Sequence, residues 1–147
     1  MKISKTSQYA IRALIYINQK SITSSDPISI KEIAKGINSP EHFTAKLLQP
    51  LTKNKILASV KGPGGGFLVN EITGGVTIRT VVEIIEGEDF FSDCFLGLPG
   101  CSDEKPCPAH FSYVSLKQQT MELFDGLTIN TLTASLESNK DLFSIFG

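Results

Sequence analysis

Residues 56–70 read ILASVK-GPGGG-FLVN, and no regular helix can pass through them. Pro63 lacks a backbone N–H and its ring clashes with a preceding helical turn. Two apolar segments flanking such a reversal predict a β-hairpin. The pentapeptide is not a phosphate loop, because no Gly-Lys-Ser/Thr follows it. Its glycines permit positive φ at the tip and bring backbone N–H groups close to another molecule. Lys61 adds a positive charge at the base. Three successive glycines cost conformational entropy that an inert turn need not incur, so close approach is favoured over an inert turn.

Three helices are predicted upstream. Ser4 can cap a first helix reaching about Asn18, with Tyr9, Ala10, Ala13, Leu14 and Ile17 at helical spacing on its buried face. Residues 20–27 form a polar loop. Ser29 and Glu32 make a capping box for a second helix, whose apolar set is Ile30, Ile33, Ala34 and Ile37. After a tight turn at residues 35–38, Ser39-Pro40-Glu41 reads as an N-cap, a first-turn proline and a first-turn acid. Phe43, Leu47, Leu48 and Leu51 then face inward, while His42, Thr44, Ala45, Lys46 and Gln49 face outward. Pro50 should kink or end this third helix nearby. A short helix, a glycine-containing turn and a second helix are the pattern of a helix-turn-helix. Its second helix enters a major groove by its N-terminal residues. A hairpin placed after it makes a winged helix, with the wing over the phosphate backbone or minor groove.

Charge agrees. The net charge of the 147 residues is only −1, but residues 1–62 hold ten of the 14 basic and three of the 15 acidic residues. That asymmetry predicts a polyanion-binding N-terminal part. The length suits one domain, or one domain with an appended dimerisation element. No apolar run approaches the ~20 residues of a membrane span. The opening MKISKTSQYAIRAL has no apolar signal core. A cytoplasmic protein with no membrane partner is expected, in a compartment where thiols stay reduced.

All three cysteines and one of the two histidines fall within residues 94–110, CFLGLPGCSDEKPCPAH. Gly97, Pro99, Gly100, Pro106 and Pro108 exclude a regular element there. A loop folded on itself could bring three thiolates and the His110 imidazole together, and soft sulfur ligands select zinc, copper(I) or an iron–sulfur cluster. An odd cysteine count excludes a full disulfide framework. Structural zinc usually takes a short C-x₂₋₄-C pair, which is missing, whereas cluster ligation tolerates more varied spacing. Cluster, other metal, thiol chemistry and no ligand at all therefore stay open. Glu86, Glu88, Asp89 and Asp93 upstream read as a solvated acidic surface. Without a C-x-x-C motif or a paired base beyond His110, no enzyme is expected.

Thr77 starts a fourth helix with Ile78, Val81, Val82 and Ile85 on one face, stopped by Gly87. Pro108 starts a long helix to about Gly126. Along it Tyr113, Leu116, Thr120, Leu123 and Leu127 make a heptad seam. Residues 1–87 are expected to supply a complete small core, leaving that helix for dimerisation. Thr128 caps a final short helix, and Leu142, Phe143, Ile145 and Phe146 are expected to pack on the partner or the long helix. The expected architecture is mainly α with a small β-hairpin wing. It comprises a winged helix-turn-helix domain at 1–87, a cysteine-rich sensor loop at 88–110, and a dimerisation helix with C-terminal tail at 111–147.

The chain resembles the Rrf-two (Rrf2) family of bacterial transcription regulators, which includes the IscR, NsrR and CymR types. The resemblance rests on MKISKTSQYAIRALIYI, ISIKEIAKGINSPEHFTAKLLQPL, SVKGPGGGF, TIRTVVEIIEG and the loop ending CPAH. It implies a homodimeric winged-helix repressor or activator on a near-palindromic double-stranded DNA operator. In cluster-binding members three cysteines hold a [2Fe–2S] or [4Fe–4S] cluster; carried over, these are Cys94, Cys101 and Cys107. In one branch a histidine placed like His110 is the fourth ligand. In another a first-helix aspartate fills that role, and here that position is Gln8, a poor ligand. The first cysteine gap is one residue longer than in the best-known members. Lys61 and Phe67 stand where the family often has arginine and tyrosine. The expected DNA-contacting set is Ser39, His42, Phe43, Lys46, Lys53, Lys61, Gly62, Gly64 and Gly65. The implied function is a regulator whose operator affinity follows an iron–sulfur cluster that senses redox, nitric oxide or iron–sulfur status. The alternative is a cluster-free regulator of the same fold that uses thiols, zinc or a protein partner.

Overall fold

A computed structural model of the chain describes residues 2–139. The expected contacts of Leu142, Phe143, Ile145 and Phe146 lie outside the described residues. The order is α1 (Lys5–Ser21), α2 (Ile30–Gly36), α3 (Glu41–Lys53), β1 (Leu57–Val60), β2 (Gly66–Val69), α4 (Ile78–Glu86), α5 (His110–Gly126) and α6 (Ile129–Ser138). Short 3-10 turns lie at Thr73–Gly75 and Glu88–Phe91. This is the winged helix-turn-helix expected from sequence.

Ser4, Ser29 and Thr128 cap their helices as expected, and Thr77, expected to start the fourth helix, caps it instead. Ser4, Ser29 and Thr77 accept from the N–H three residues on. Thr128 does the same within a capping box with Thr131. Each satisfies an N–H that a helix start leaves without an intrahelical partner. The third helix departs from expectation. Pro40 is its N-cap and no side chain caps it, so Ser39 does not serve that role. Thr44, expected outside, is fully buried. Its Oγ1 donates to the Pro40 carbonyl at 2.8 Å, which removes the penalty of burying a hydroxyl. The helix ends at Lys53, within a turn of Pro50, as expected. Pro50 has no N–H to give the Lys46 carbonyl, so one intrahelical bond is missing in the last turn.

β1 and β2 pair antiparallel, Leu57 opposite Val69 and Val60 opposite Gly66. Gly62 and Gly64 take positive φ of 90° and 75° with open space around them. Gly65 and Gly66 are needed for a different reason. A Cβ on Gly65 would lie 2.2 Å from the Val60 carbonyl oxygen, and one on Gly66 would lie 2.2 Å from the Ile28 oxygen. Ile28 and Phe67 exchange two backbone hydrogen bonds of 2.9 and 2.8 Å, adding a bridge to the hairpin edge. The chain's own backbone therefore accounts for two of the three successive glycines, and their number does not by itself require a ligand.

The core is formed by Ala10, Ala13, Leu14 and Ile17 of α1, Ile33 of α2, Leu47, Leu48 and Leu51 of α3, and Val81 and Val82 of α4. It does not close at residue 87. Phe91 and Ile129 belong to it, and Ile129 is fully buried. Ile78 N–H donates to the Leu127 carbonyl and Ile129 N–H to the Val76 carbonyl, at 2.9 and 3.1 Å. Asn18 adds bonds of 3.0 Å to Asn130 and Thr133. The segment ending in α6 thus packs on α1. Ile129, an apolar residue beyond position 87, is removed from water in the same cluster as the α1 and α4 residues. By contrast α5 buries none of its residues, and Phe111, Leu116 and Leu123 remain exposed.

Candidate cysteine site and nucleic-acid face

After Gly87 the chain leaves α4, makes a 3-10 turn, and enters the loop. Gly97 and Gly100 take φ of 68° and 77°, the left-handed region that glycine tolerates without strain. Gly97 N–H donates to the Cys94 carbonyl at 3.0 Å, and His110 N–H donates to the Cys107 carbonyl at 3.0 Å. These turns fold the loop back on itself. The three sulfurs lie within 4.8 Å of one another. Cys94 Sγ and Cys107 Sγ are 3.6 Å apart, and the Cys107 N–H reaches Cys101 Sγ at 3.4 Å. All three cysteines are free and half-buried.

His110 is the first residue of α5. Its Nδ1 lies 3.3 Å from Cys101 Sγ and its Nε2 lies 2.7 Å from Asp103 Oδ1. The imidazole therefore flanks the sulfur cluster from the Cys101 side. No motif pointed to Asp103; its role depends on how the loop folds.

The thiols differ in acidity. The Leu98 N–H lowers the Cys94 pKa, and the Leu96 N–H and the neighbouring sulfurs add to this against burial, bringing it to about 7. The Cys107 N–H also pulls Cys101 down, but burial and the two neighbouring sulfurs outweigh it and the net shift is upward. Converging thiols, one ionising near neutrality, form a soft donor set, and the thiolate is the metal-binding form. Three sulfurs with an imidazole nitrogen beside them fit an iron–sulfur cluster or a thiophilic metal.

His42, Lys46, Gln49 and Lys53 are all exposed on α3. Their spacing of four, three and four residues puts them along one stripe. Lys61, Gly62 and Gly64 are exposed at the hairpin tip. Gly65 and Ser39 are half-buried. Phe43 turns its ring onto Tyr9, edge-on with centroids 5.6 Å apart.

The sequence matches the Rrf2 family, described as an iron-dependent transcriptional regulator, over residues 3–135. The chain belongs to the Rrf2 family. A provisionally named HTH-type transcriptional regulator of Aquifex aeolicus is 33% identical over 134 residues, covering 90% of this chain and 91% of that protein. The regulator IscR of Klebsiella pneumoniae is 22% identical, covering 100% of this chain and 86% of its own length. Among solved structures, CymR, the global cysteine regulator of B. subtilis, superposes with a TM-score of 0.71 at 23% identity, covering 91% of this chain and 97% of that one. T. potens IscR gives 0.68 at 20%, covering 98% and 93%. This Rrf2 protein is a DNA-binding transcriptional regulator and not an enzyme. Among the described residues no helix is long and apolar enough to cross a membrane.

Proposed function

We propose that this Rrf2 regulator acts in the cytoplasm as a homodimer whose affinity for a near-palindromic operator is set by an iron–sulfur cluster. Cys94, Cys101 and Cys107 would hold the cluster, with His110 as the fourth ligand. The observation that carries this is the convergence of three thiols within 4.8 Å of one another. When bound, the cluster supplies a centre that exchanges an electron at a potential set by its surroundings.

The rest of the chain supplies the reading apparatus. Two copies of α3 enter successive major grooves about 34–36 Å apart. Lys46, Lys53, Lys61 and the wing amides hold phosphates, while His42 reaches base edges. The exposed Leu116 and Leu123 supply the seam between copies. The loop is braced on α5, since Lys117 Nζ donates to the Asp93 carbonyl at 3.2 Å and the Phe95 ring packs on Tyr113 at 5.3 Å. A change in the loop therefore bears on the helix that sets the separation of the reading heads. It shifts DNA affinity only by the difference in effector affinity between the two arrangements.

The test is protein purified without oxygen, assayed for visible absorption, iron and sulfide, with operator binding measured before and after cluster removal. Cys107→Ala should lose the colour and change DNA affinity. Unchanged iron in that variant would refute the ligand assignment. The 3.6 Å separation of Cys94 and Cys107 sulfurs favours a second reading, a cluster-free thiol sensor. A colourless, iron-free preparation whose DNA affinity responds to a thiol oxidant would support that reading instead.

A further inference from the structure

We infer that Asp103 is a positioning residue that decides which ring nitrogen His110 offers to the cysteine site. This rests on reading that site as a metal centre, and it deepens that reading. A neutral imidazole carries one N–H and one lone pair. An ionised carboxylate can only accept, so the nitrogen facing Asp103 must carry the proton. That nitrogen is Nε2, at 2.7 Å. Nδ1 is then the lone-pair nitrogen, and it lies 3.3 Å from Cys101 Sγ on the thiol side of the ring. The ring meets a metal through Nδ1.

The loop is shaped to present this carboxylate. Ser102 N–H donates to the Lys105 carbonyl at 3.2 Å, and Lys105 N–H returns a bond to Ser102 Oγ at 3.2 Å. That closes a turn with Asp103 in its first central position. The His110 side chain is 12% exposed, whereas Asp103 is 84% exposed. The ring is held by its surroundings while its partner comes in from solvent. An exposed ion pair at this position would contribute little to stability, so tautomer selection is the effect to look for. Carboxylates bonded to the far nitrogen of a ligating histidine fix its tautomer and orientation, and removing them costs about 10–100-fold in metal affinity. The exposure of Asp103 places the expected loss near the lower end, about tenfold.

The experiment uses the full-length metal-free protein under exclusion of oxygen. Long-range proton–nitrogen correlation spectra of ¹⁵N-histidine protein report each ring's tautomer, and His110→Asn separates its signals from those of His42. Wild type should show His110 protonated at Nε2, and Asp103→Leu should shift it towards a mixture. Asp103→Asn, whose side-chain carbonyl can still accept, should restore the wild-type tautomer. Cobalt(II) is then titrated as the metal probe. Wild type should develop thiolate-to-cobalt absorption, Asp103→Leu should bind about tenfold more weakly with an altered ligand-field band, and Asp103→Asn should recover. An Asp103→Leu protein with wild-type tautomer and cobalt affinity overturns the Asp103 role while leaving the metal site standing. A wild type that takes no cobalt onto its thiols overturns the metal centre and this inference with it.

Discussion

Glu86, in the last turn of α4, reaches Ser7 in α1: its Oε1 accepts the Ser7 hydroxyl at 2.6 Å and the Ser4 N–H at 3.0 Å. Ser7 is fully buried, so the carboxylate joins the start of α1 to the helix that leads into the cysteine loop. Burial pushes the Glu86 carboxyl up, but the hydrogen bonds from Ser4 and Ser7 outweigh it and hold it below its ordinary value. Glu86→Ala leaves a buried hydroxyl without its acceptor, at a cost of about 1–3 kcal/mol. Glu86→Gln keeps an acceptor oxygen and should recover most of it in urea unfolding. Because the folded carboxyl is the stronger acid, its contribution is present above the unfolded value of 4.5 and is lost as pH falls through the folded one. Stability of Glu86→Gln should therefore be flatter with pH below that point; equal slopes in both proteins would contradict the assignment.

Gly36 lets the helix-turn-helix pack on α1. A Cβ there would lie 2.3 Å from Cε2 of Tyr16. Gly36→Ala should destabilise by about 1–3 kcal/mol through overpacking. Combining it with Tyr16→Leu should cost less than the sum of the two changes, because the neighbouring ring that creates the clash is gone. Strict additivity in a double-mutant cycle would show that the two residues do not press on each other.

Leu116 and Leu123 on α5 are 46% and 58% exposed in one chain, so replacing them tests association without opening the core. Leu116→Glu with Leu123→Lys should give a monomer in sedimentation with an unchanged circular dichroism spectrum. A variant still dimeric at the wild-type concentration would place the seam elsewhere.

On α3, Lys46 and His42 should behave differently on DNA. Losing one phosphate contact in Lys46→Ala should reduce the slope of log K against log salt by about 0.9 and leave sequence preference intact. His42→Ala should alter the ranking of operator variants while changing the salt slope little. If both variants only lower affinity uniformly, His42 is not reading bases.

The apolar spacing of Ala10, Ala13, Leu14 and Ile17, and of Leu47, Leu48 and Leu51, was legible because a helix repeats every 3.6 residues and buries one face. Ser4, Ser29 and Thr128 were legible as caps because their partners lie three residues away, whereas Thr77, read as the start of α4, is its N-cap. The hairpin was legible from Pro63 and its glycines. The cysteines were visible as a group because, with His110, they crowd into seventeen residues, 94–110.

What the chain alone determined, then, is mainly the helix faces, the hairpin and those caps whose partners lie within about a turn. Thr44 looked like an outward residue, and only packing of the other elements against α3 buries it completely. Ile129 looked like part of a separate dimerisation segment until α6 closed the core. Ser7 and Glu86 stand 79 residues apart, and no local pattern links them. The orientation of His110 between Cys101 and Asp103 is equally a product of the folded loop. Periodicity records which faces avoid water. Hydrogen bonds and steric contacts depend on ångström separations between distant segments, and only the packed chain sets those.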